Sequence, residues 1–312
     1  MKKIKITPKQ EHDQNFLINT KIIKDIIKAI KNELQTKKPP LFSSVLEIGP
    51  GTGNITKELA LFSKKVLAIE IDKSLSDTLS ALPKNVTVKY YDALKYLKNL
   101  KQKTQNKKKG DEKNKVSIDF PFDLVFSSLP YKICEPTLKA LSIISGFNVG
   151  FFIVPLGFYK KIKESIYFES FFSITHILDI PKESFNPIPK SDSCLIKVTK
   201  KGSLKINLSS SKKANSKNSN FKVYNTDTNI NFILQKLFSQ HTKKAKNALR
   251  DAIIDLSKLR SYNYATKRQA EMLILKLGLS SKILGTNVYS LSQKELTIIK
   301  EKLTKELIIS KH

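Results

Sequence analysis

A glycine-rich turn is the first segment of the chain with residue types suited to holding a ligand. Residues 45–54 read VLEIGPGTGN, so an apolar strand runs into Gly49, Gly51 and Gly53. Glycines at such a place allow the backbone to turn sharply and to approach a ligand closely. A dinucleotide fingerprint would require glycine at position 54, where the chain has Asn54. By itself, the turn leaves open whether it binds a ligand or only reverses the chain.

Two acidic residues follow the turn at the ends of the next apolar runs. Residues 66–71 read VLAIEI and contain Glu70, and the run after it ends before Asp92. A carboxylate at the end of the second strand can accept hydrogen bonds from both ribose hydroxyls of an adenosine. Asp92 could take the adenine amino group. Solvated acids would explain each residue singly, but the three elements in this order predict a site for an adenosine-containing cofactor.

The end of the fourth apolar run carries a second motif. Residues 122–131 read FDLVFSSLPY, and this ending resembles the fourth motif of class I methyltransferases that modify exocyclic amino groups. More narrowly, the chain resembles the family of small-subunit ribosomal RNA adenine N6-dimethyltransferases. The matching segments are QNFL at 14–17, EIGPG at 47–51, LPY at 129–131, FNPIPK at 185–190 with Asp192 and Ser193, FSQ at 238–240, Lys243, and NAL at 247–249.

The resemblance implies a cofactor, S-adenosylmethionine, and a place for it. Carried over to this chain, the cofactor contacts fall on Asn15, Leu17, Gly49, Gly51, Gly53, Glu70, Asp92 and Ser128. The resemblance also puts Ser128 where the family has its catalytic Asn. Tyr131 and Phe185 fall where aromatic rings sandwich the flipped adenine. The RNA contacts that we expect are Lys190, Lys243, Lys244, Lys246 and Arg250.

The chemistry implied for this motif is the positioning of an amino group. Adenine N6 is a poor nucleophile because its lone pair is delocalised into the ring. The Ser128 oxygen and the backbone carbonyl of Leu129 or Pro130 could accept hydrogen bonds from N6 and aim it at the methyl group, while proline stiffens the turn. Tyr131 offers a face for the extruded base, worth about 1–3 kcal/mol. Positioning supplies most of the rate, and no metal ion is needed.

Two departures from the family pattern affect the expected function. Ser128 replaces Asn, and its oxygen lies nearer to the backbone than a carboxamide oxygen does. A misplacement of about 1 Å can lower a rate on the order of 100-fold. The adjacent Ser127 would take this role if the motif were shifted by one residue. His241 and Thr242 stand where the family usually has two arginines, and Lys246 stands in place of another.

Three functions remain open from these residues. The first is N6-dimethylation of two adjacent adenines near the 3′ end of small-subunit rRNA, with a role in small-subunit biogenesis. The second is a catalytically weak or inactive rRNA-binding assembly factor of the same fold, which Ser128 and the net charge of +29 favour. The third is methylation of a large-subunit adenine, against which the Gly-Pro-Gly loop and residues 238–249 argue.

The elements that must position these residues follow from the apolar pattern. Short β-rich runs alternate with helical patterns, which predicts βαβ units and a mainly parallel sheet. The predicted strands are residues 45–48, 66–71, 86–90, 124–127, 150–154, 174–180 and 194–198. Residues 20–34 have helical spacing, with isoleucines on one face and Thr20 as the expected N-cap. The expected fold class is α/β: a Rossmann-like class I methyltransferase with a mostly parallel seven-stranded sheet and a small C-terminal helical domain.

Composition divides the chain into two expected domains. We expect an S-adenosylmethionine-binding catalytic domain at residues 1–201, a polar linker at 202–226 and a helical RNA-binding domain at 227–312. Residues 101–118 form a Lys-rich insert within the first domain. Its stretch 101–115 has almost nothing apolar to bury, so we expect a disordered loop there.

The net charge of +29 and the pI near 9.9 indicate a polyanionic partner, because lysines displace the counterions condensed on phosphates. An AT-rich genome would also explain why the chain has only three arginines, Arg250, Arg260 and Arg268. Two cysteines without a CxxC motif fit a reduced, cytoplasmic compartment and speak against a structural zinc site. We expect a monomer that binds small-subunit rRNA or the immature small subunit, with no membrane segment and no metal.

Overall fold

The computed structural model describes residues 14–33, 42–105, 121–144, 146–201, 226–260 and 266–309. It divides into two compact units. The first lies within Met1–Glu164 and Phe172–Lys200, and the second within Ser165–Phe171 and Lys201–His312. The short segment Ser165–Phe171 groups with the second unit, where Ile166 is buried in the helical core.

The first unit is built on one seven-stranded sheet. Its strands are β2 (Val45–Ile48), β3 (Val66–Glu70), β4 (Val86–Tyr90), β5 (Leu124–Ser128), β6 (Val149–Pro155), β7 (Phe172–Ile180) and β9 (Ser193–Lys200). Their order in the sheet is β4-β3-β2-β5-β6-β9-β7. Strand β9 is antiparallel to both of its neighbours, and the other pairs are parallel. The predicted fold class, a mostly parallel seven-stranded sheet with a helical C-terminal part, is confirmed.

Six helices and a short ribbon complete the described part of the first unit. The helices are α1 (Thr20–Glu33), α2 (Asn54–Leu61), α3 (Ser76–Leu79), α4 (Ala93–Gln105), α5 (Tyr131–Ile143) and α6 (Leu156–Lys163). The ribbon pairs β1 (Phe16–Leu17) with β8 (Phe185–Asn186) in antiparallel register. The two-residue strands of this ribbon are too short for the apolar pattern to have predicted them.

All seven predicted strands are present, and their ends differ by up to two residues. Strand β7 begins at Phe172 rather than at residue 174, and β9 continues to Lys200 rather than ending at residue 198. Both strands extend because Phe172 pairs with Lys200 at the end of the antiparallel ladder. Backbone hydrogen bonding therefore sets these ends, whereas the prediction followed only the apolar side chains.

Helix α1 buries the isoleucine face that its spacing predicts. Ile26 and Ile30 are fully buried, in one core cluster with Ile55 and Leu59 of α2 and with side chains of the sheet. The predicted N-cap is wrong by one residue. The side-chain oxygen Oδ1 of Asn19 accepts hydrogen bonds from the backbone N–H of residues 21 and 22, at 3.1 and 3.2 Å. Asn19 is therefore the cap, since an Asn oxygen satisfies the free N–H groups of a first helical turn.

The strand order reverses at β2, which has β3 on one side and β5 on the other. In an open α/β sheet, the loops that leave the carboxyl ends of two such strands diverge and open a crevice. The glycine turn leaves the carboxyl end of β2, and the Leu-Pro-Tyr motif leaves that of β5. The topology thus brings the two motifs to one edge of the sheet.

The Lys-rich insert begins later than the composition suggested. Residues 101–105, which we expected to open a disordered loop, continue helix α4 to Gln105. Lysine and glutamine are good helix formers, so a helix already nucleated in the apolar part of α4 continues into the polar run. Residues 106–118 and the expected linker segment 203–220 lie outside the described residues.

The described part of the second unit is helical. Its helices are α7 (Ile166–Phe171), α8 (Thr226–Ser239), α9 (Ala245–Arg260), α10 (Lys267–Lys276), α11 (Ser281–Gly285) and α12 (Gln293–Ile309). Their buried aliphatic side chains form one core, which includes Ile233 and Leu237 of α8 and Ile299 of α12. Helix α7 is held to α8 by a hydrogen bond from Gln235 Nε2 to the carbonyl of Ser170, at 2.8 Å.

Candidate functional site

A cavity of about 760 Å³ lies at the carboxyl edge of the sheet in the first unit. Most of the residues predicted from the sequence line it. The predicted residues in the lining are Asn15, Leu17, Gly49, Gly51, Glu70, Asp92, Ser128, Leu129, Pro130, Tyr131, Phe185 and Lys190. Six separate segments of the first unit therefore meet around one space large enough for a nucleoside-sized ligand.

The glycine turn forms the floor of the cavity and needs glycine at two of its lining positions. Gly49 and Gly51 have φ values of 71° and 55°, in the left-handed region that disfavours side chains. A Cβ atom at Gly51 would also lie 3.0 Å from the ring of Phe16. Gly53 does not line the cavity. Its φ is 78°, also in the left-handed region, so backbone conformation accounts for the third glycine, and a Cβ atom there would lie 3.0 Å from Leu82.

The N-terminal motif is held in place by three contacts. Gln14 Nε2 donates to the carboxylate of Asp72 at 2.9 Å. Asn54 Nδ2 donates to the carbonyl of Leu17 at 3.0 Å. In the β1–β8 ribbon, Leu17 is paired with Phe185. The Asn54 side chain thus anchors the N-terminal motif, at the position where a dinucleotide fingerprint would need glycine.

Glu70 lies at the carboxyl end of β3 with its carboxylate already surrounded by backbone N–H groups. Oε1 accepts from Ile71 and Asp72 at 2.8 and 2.9 Å, and Oε2 accepts from Gly51 at 3.2 Å. Burial raises the pKa of Glu70, while these hydrogen bonds oppose the rise. They fix the direction of the carboxylate, and Oε2, with a single long bond, is the oxygen with room for a further donor.

Asp92 immediately precedes helix α4, and one of its carboxylate oxygens caps the helix. Oδ1 accepts from the backbone N–H of Lys95 at 3.0 Å. The residue is half-buried at the cavity wall. Helix capping is thus a structural reason for an aspartate at this position. The same side chain borders the space expected for the cofactor.

Glu47 also lines the cavity, but the sequence analysis did not predict it as a site residue. It lies within β2 and is 1 % exposed. Its Oε2 has no hydrogen-bond partner among the described residues. Burial raises its pKa to about 8; the neighbouring Thr56 hydroxyl opposes the rise, and the nearby charge of Glu70 adds to it. An acid in the middle of the apolar strand VLEI was the available signal, because a buried carboxylate is costly unless something pairs with it.

The two serines at the end of β5 have different environments. Ser127 is fully buried, and its hydroxyl donates to the carbonyl of Ile48 at 2.6 Å. Ser128 is half-exposed and lines the cavity, and its backbone carbonyl would lie 3.7 Å from a Cβ atom at Gly49. Of the two, Ser128 is therefore the serine that faces the cavity, which argues against a motif shifted by one residue.

The turn after Ser128 is held by the neighbouring strand and by helix α5. The N–H of Leu129 donates to the carbonyl of Ile153 at 3.1 Å. The thiol of Cys134 contacts the carbonyl oxygens of Leu129 and Pro130, at 3.7 and 3.5 Å. Cys134 is fully buried, as is Cys194. These contacts fix the carbonyls that were expected to face an amino group.

The two expected aromatic walls differ in exposure. Tyr131 is 56 % exposed, at the first residue of α5. Phe185 is 4 % exposed and belongs to the core cluster that includes α1. Phe185 therefore has a packing role as well as a face at the cavity, while Tyr131 leaves most of its surface exposed. Lys190 also lies in the lining, which brings one predicted RNA contact to this edge.

The remaining predicted RNA contacts lie in the second unit and fall into two kinds. Lys244 and Lys246 are exposed. Lys243 is engaged with Asp251 at 2.7 Å, and it also donates to Gln240. Arg250 is half-buried and pairs with acidic side chains of α9 and α10. Electrostatic pairing inside the unit thus occupies two of the four cations.

The described residues contain no group of three or more His, Cys, Asp or Glu side chains that could hold a metal ion. Within the same residues, no helix is both long and apolar enough to cross a membrane.

Known proteins match the chain in sequence over most of its length. The sequence profile described as ribosomal RNA adenine dimethylase matches residues 6–251. Among curated proteins, the ribosomal RNA small subunit methyltransferase A of Staphylococcus aureus strain JH9 is 33% identical over 208 residues. That match covers 61% of this chain and 63% of the length of the relative.

Solved structures also match, at low sequence identity. A dimethyladenosine transferase from Plasmodium falciparum is 20% identical with a TM-score of 0.48, over 93% of this chain and 98% of that one. The 23S rRNA methyltransferase ErmE is 19% identical with a TM-score of 0.46, over 93% of this chain and 99% of that one.

Proposed function

The chain belongs to the ribosomal RNA adenine dimethylase family, and from that premise we propose that it uses S-adenosylmethionine to dimethylate N6 of two adjacent adenines near the 3′ end of small-subunit rRNA. The observation that carries the proposal is the single cavity lined by Gly49, Glu70, Ser128 and Tyr131. In this proposal, the cofactor and the target base bind in adjoining parts of this cavity, at one edge of the sheet. The modification would form part of small-subunit biogenesis.

The residues of the cavity fit S-adenosylmethionine, which supplies an electrophilic methyl group on its sulfonium when bound. The buried, unpartnered Oε2 of Glu47 suits a positively charged amino group, since a buried carboxylate gains most from a charged partner. Glu70 suits the ribose hydroxyls through Oε2, and Asp92 suits the adenine amino group. Gly49 and Gly51 supply backbone that comes close without side chains.

The target base is held, in this proposal, by the end of β5 and the start of α5. The Ser128 hydroxyl and the carbonyl of Leu129 or Pro130 accept hydrogen bonds from N6, so that its lone pair points at the methyl group. Tyr131 stacks on one face of the base, and Phe185 borders the other. After transfer, the N6 ammonium is acidic and releases its proton to water. The chain contributes through orientation, which is the main source of rate in such a displacement.

Exposed lysines in each of the two units are expected to bind the RNA. Lys190 lies in the lining, and Lys244 and Lys246 are the exposed members of the predicted set in the second unit. Lys243 and Arg250 already have acidic partners, so a phosphate would have to compete with these carboxylates. We therefore assign Lys244 and Lys246 the larger share of the phosphate contacts.

A catalytically weak rRNA-binding assembly factor is the second candidate, and Ser128 is the observation that favours it. A serine oxygen projects less far from the backbone than the Asn oxygen of the family pattern. The active enzyme and the assembly factor share the cavity and the basic surface, so only methyl transfer distinguishes them.

The test of the proposed function is primer extension on small-subunit rRNA from cells with the gene, without it, and with the gene restored. Dimethylated N6 cannot form a Watson–Crick pair and stops the polymerase. We expect a stop at two adjacent adenines that disappears without the gene and returns with it. An unchanged stop pattern, together with delayed small-subunit assembly in the deletion, would replace the enzyme by the assembly factor.

A further inference from the structure

A second hollow of the first unit, which we name the α5–α6 groove, lies beside the main cavity. It has a volume of about 470 Å³. Its lining consists of Tyr131, Lys132, Glu135, Pro136, Lys139, Phe158 and Lys161. Tyr131 and Lys132 also line the main cavity, so the two spaces meet at the exposed tyrosine. Glu135, Lys139 and Lys161 belong to the groove alone.

One carboxylate holds two lysines across this groove. Glu135 Oε1 pairs with Lys139 one turn further along α5, and Oε2 pairs with Lys161 of α6, both at 2.8 Å. The two ammonium groups hold the pKa of Glu135 below its ordinary value. The side chains of Lys139 and Lys161 remain 50% and 68% exposed, so both can still reach solvent ligands.

The groove has the composition of a binding surface for single-stranded nucleic acid. Three lysines and one glutamate line the groove, which opens beside the ring of Tyr131. Proteins that bind single strands combine cations along the backbone with aromatic rings on which bases stack. Pro136 and the buried Phe158 give the hollow an apolar floor against which a sugar can pack.

We propose that the α5–α6 groove binds the phosphodiester backbone of the RNA next to the base on Tyr131, and that Glu135 competes with the RNA phosphates for Lys139 and Lys161. This inference rests on the proposed function, since it places a neighbouring nucleotide relative to the target base. The phosphate oxygens replace the carboxylate oxygens as acceptors. In the free protein, Glu135 holds the two lysines at the groove. RNA must displace this carboxylate, so Glu135 weakens RNA binding.

The competition gives the groove an unusual pattern of mutational effects. Lys139→Gln and Lys161→Gln each remove one phosphate contact, so each should weaken RNA binding by roughly 2- to 10-fold. Glu135→Gln breaks two visible ion pairs and yet should tighten RNA binding by roughly 2- to 5-fold, because the carboxylate no longer competes with phosphate for the two ammonium groups. A carboxylate needed to orient the lysines would give the opposite sign.

The experiment is a fluorescence anisotropy titration of the full chain with a labelled single-stranded RNA that contains two adjacent adenines. Wild type, the three groove variants and Lys84→Gln are compared between about 50 and 200 mM salt. Lys84 is exposed and precedes β4, at the edge of the sheet away from the cavity, so it is the matched control. Each groove lysine variant should lower the log–log salt slope by about 0.7, the contribution of one single-strand phosphate.

Three further measurements separate the outcomes. S-adenosylmethionine affinity by calorimetry should be the same in all variants, because the mutated residues do not line the main cavity. Equal melting temperatures confirm that the variants fold. Inorganic phosphate should compete with the RNA only weakly if the groove recognises a strand rather than a lone anion.

Lysine variants that match Lys84→Gln would overturn the groove and leave the proposed function standing. Weaker RNA binding by Glu135→Gln would overturn the competitive role of the carboxylate. A wild-type protein that binds S-adenosylmethionine but no RNA would overturn both the groove and the proposed function.

Discussion

Among single residues, Ser127 and Ser128 differ in the surroundings of their hydroxyl groups. The Ser127 hydroxyl is bound to the carbonyl of Ile48, whereas Ser128 lines the cavity. We expect Ser128→Ala to lower the rate of methyl transfer about 10- to 100-fold at nearly unchanged cofactor affinity, because the lost hydrogen bond acts mainly in the transition state. Ser128→Asn should transfer as fast or faster. Single-turnover transfer to immature small subunits measures both.

Ser127→Ala is the control for this comparison. It should destabilise the fold by about 1 kcal/mol, because the Ile48 carbonyl loses its hydroxyl donor, and it should leave the rate per folded molecule unchanged. A Ser128→Ala variant as fast as wild type would mean that backbone carbonyls alone position N6. Wild type and Ser128→Ala equally inactive, with activity gained by Ser128→Asn, would leave the assembly factor as the function.

Glu47 makes stability depend on pH in an unusual direction for an acid. Its pKa is raised from 4.5 to about 8 by burial, so the folded state keeps a proton that the unfolded chain loses. Its contribution to stability is complete below pH 4.5 and is lost as the pH rises toward 8, at no more than about 1.4 kcal/mol per pH unit. Glu47→Gln cannot ionise and should not show this loss. Urea unfolding of both proteins across this range measures the difference.

A second readout of the same pair of proteins concerns the cofactor. A bound ammonium group would favour the ionised carboxylate, so the affinity of wild type for S-adenosylmethionine should rise with pH relative to that of Glu47→Gln. Parallel stability curves for the two proteins would contradict the raised pKa. Parallel affinity curves would contradict only the assignment of Glu47 to the amino group.

At the scale of elements, glycine favours stability in the turn after β2 and lowers it in helix α6. Gly51 has a positive φ and lies under the ring of Phe16, whereas Gly157 lies in α6 with open space where a Cβ would be. Gly51→Ala should cost about 1–2 kcal/mol from its conformation alone and should weaken cofactor binding. Gly157→Ala should stabilise by about 0.5–1 kcal/mol. Thermal unfolding and calorimetry of the two variants test this contrast, and equal effects would refute it.

The elements that could be predicted from the sequence are those whose apolar pattern is long enough to read. The strands of the sheet and the isoleucine face of α1 were predictable for this reason. The meeting of the glycine turn with the Leu-Pro-Tyr motif followed from parallel strands ending at one edge. The β1–β8 ribbon, the Asn19 cap and the unpartnered oxygen of Glu47 were not predictable, because each depends on which distant groups the folded chain brings together.

For the whole molecule, the charge of +29 predicts strongly salt-dependent RNA binding. Between about 50 and 200 mM salt, affinity for rRNA should fall with a log–log slope of several units. Replacing both Lys244 and Lys246 by Gln should reduce that slope by roughly 1.4–1.8, because each phosphate contact contributes about 0.7–0.9. Filter binding at a series of salt concentrations measures the slope. A flat response would mean that the lysines reflect only genomic composition.

The strand order also dictates when the cavity can exist during biosynthesis. Strand β9 is the last strand of the first unit to be made, yet it inserts between β6 and β7, and the ribbon whose residues line the cavity needs β8. A nascent chain emerges at about 5–20 residues per second, so β2 to β6 wait for seconds with an unpaired edge on β6. A message truncated before β8 and β9 would therefore yield a sheet with an open edge on β6 and a cavity that lacks Phe185.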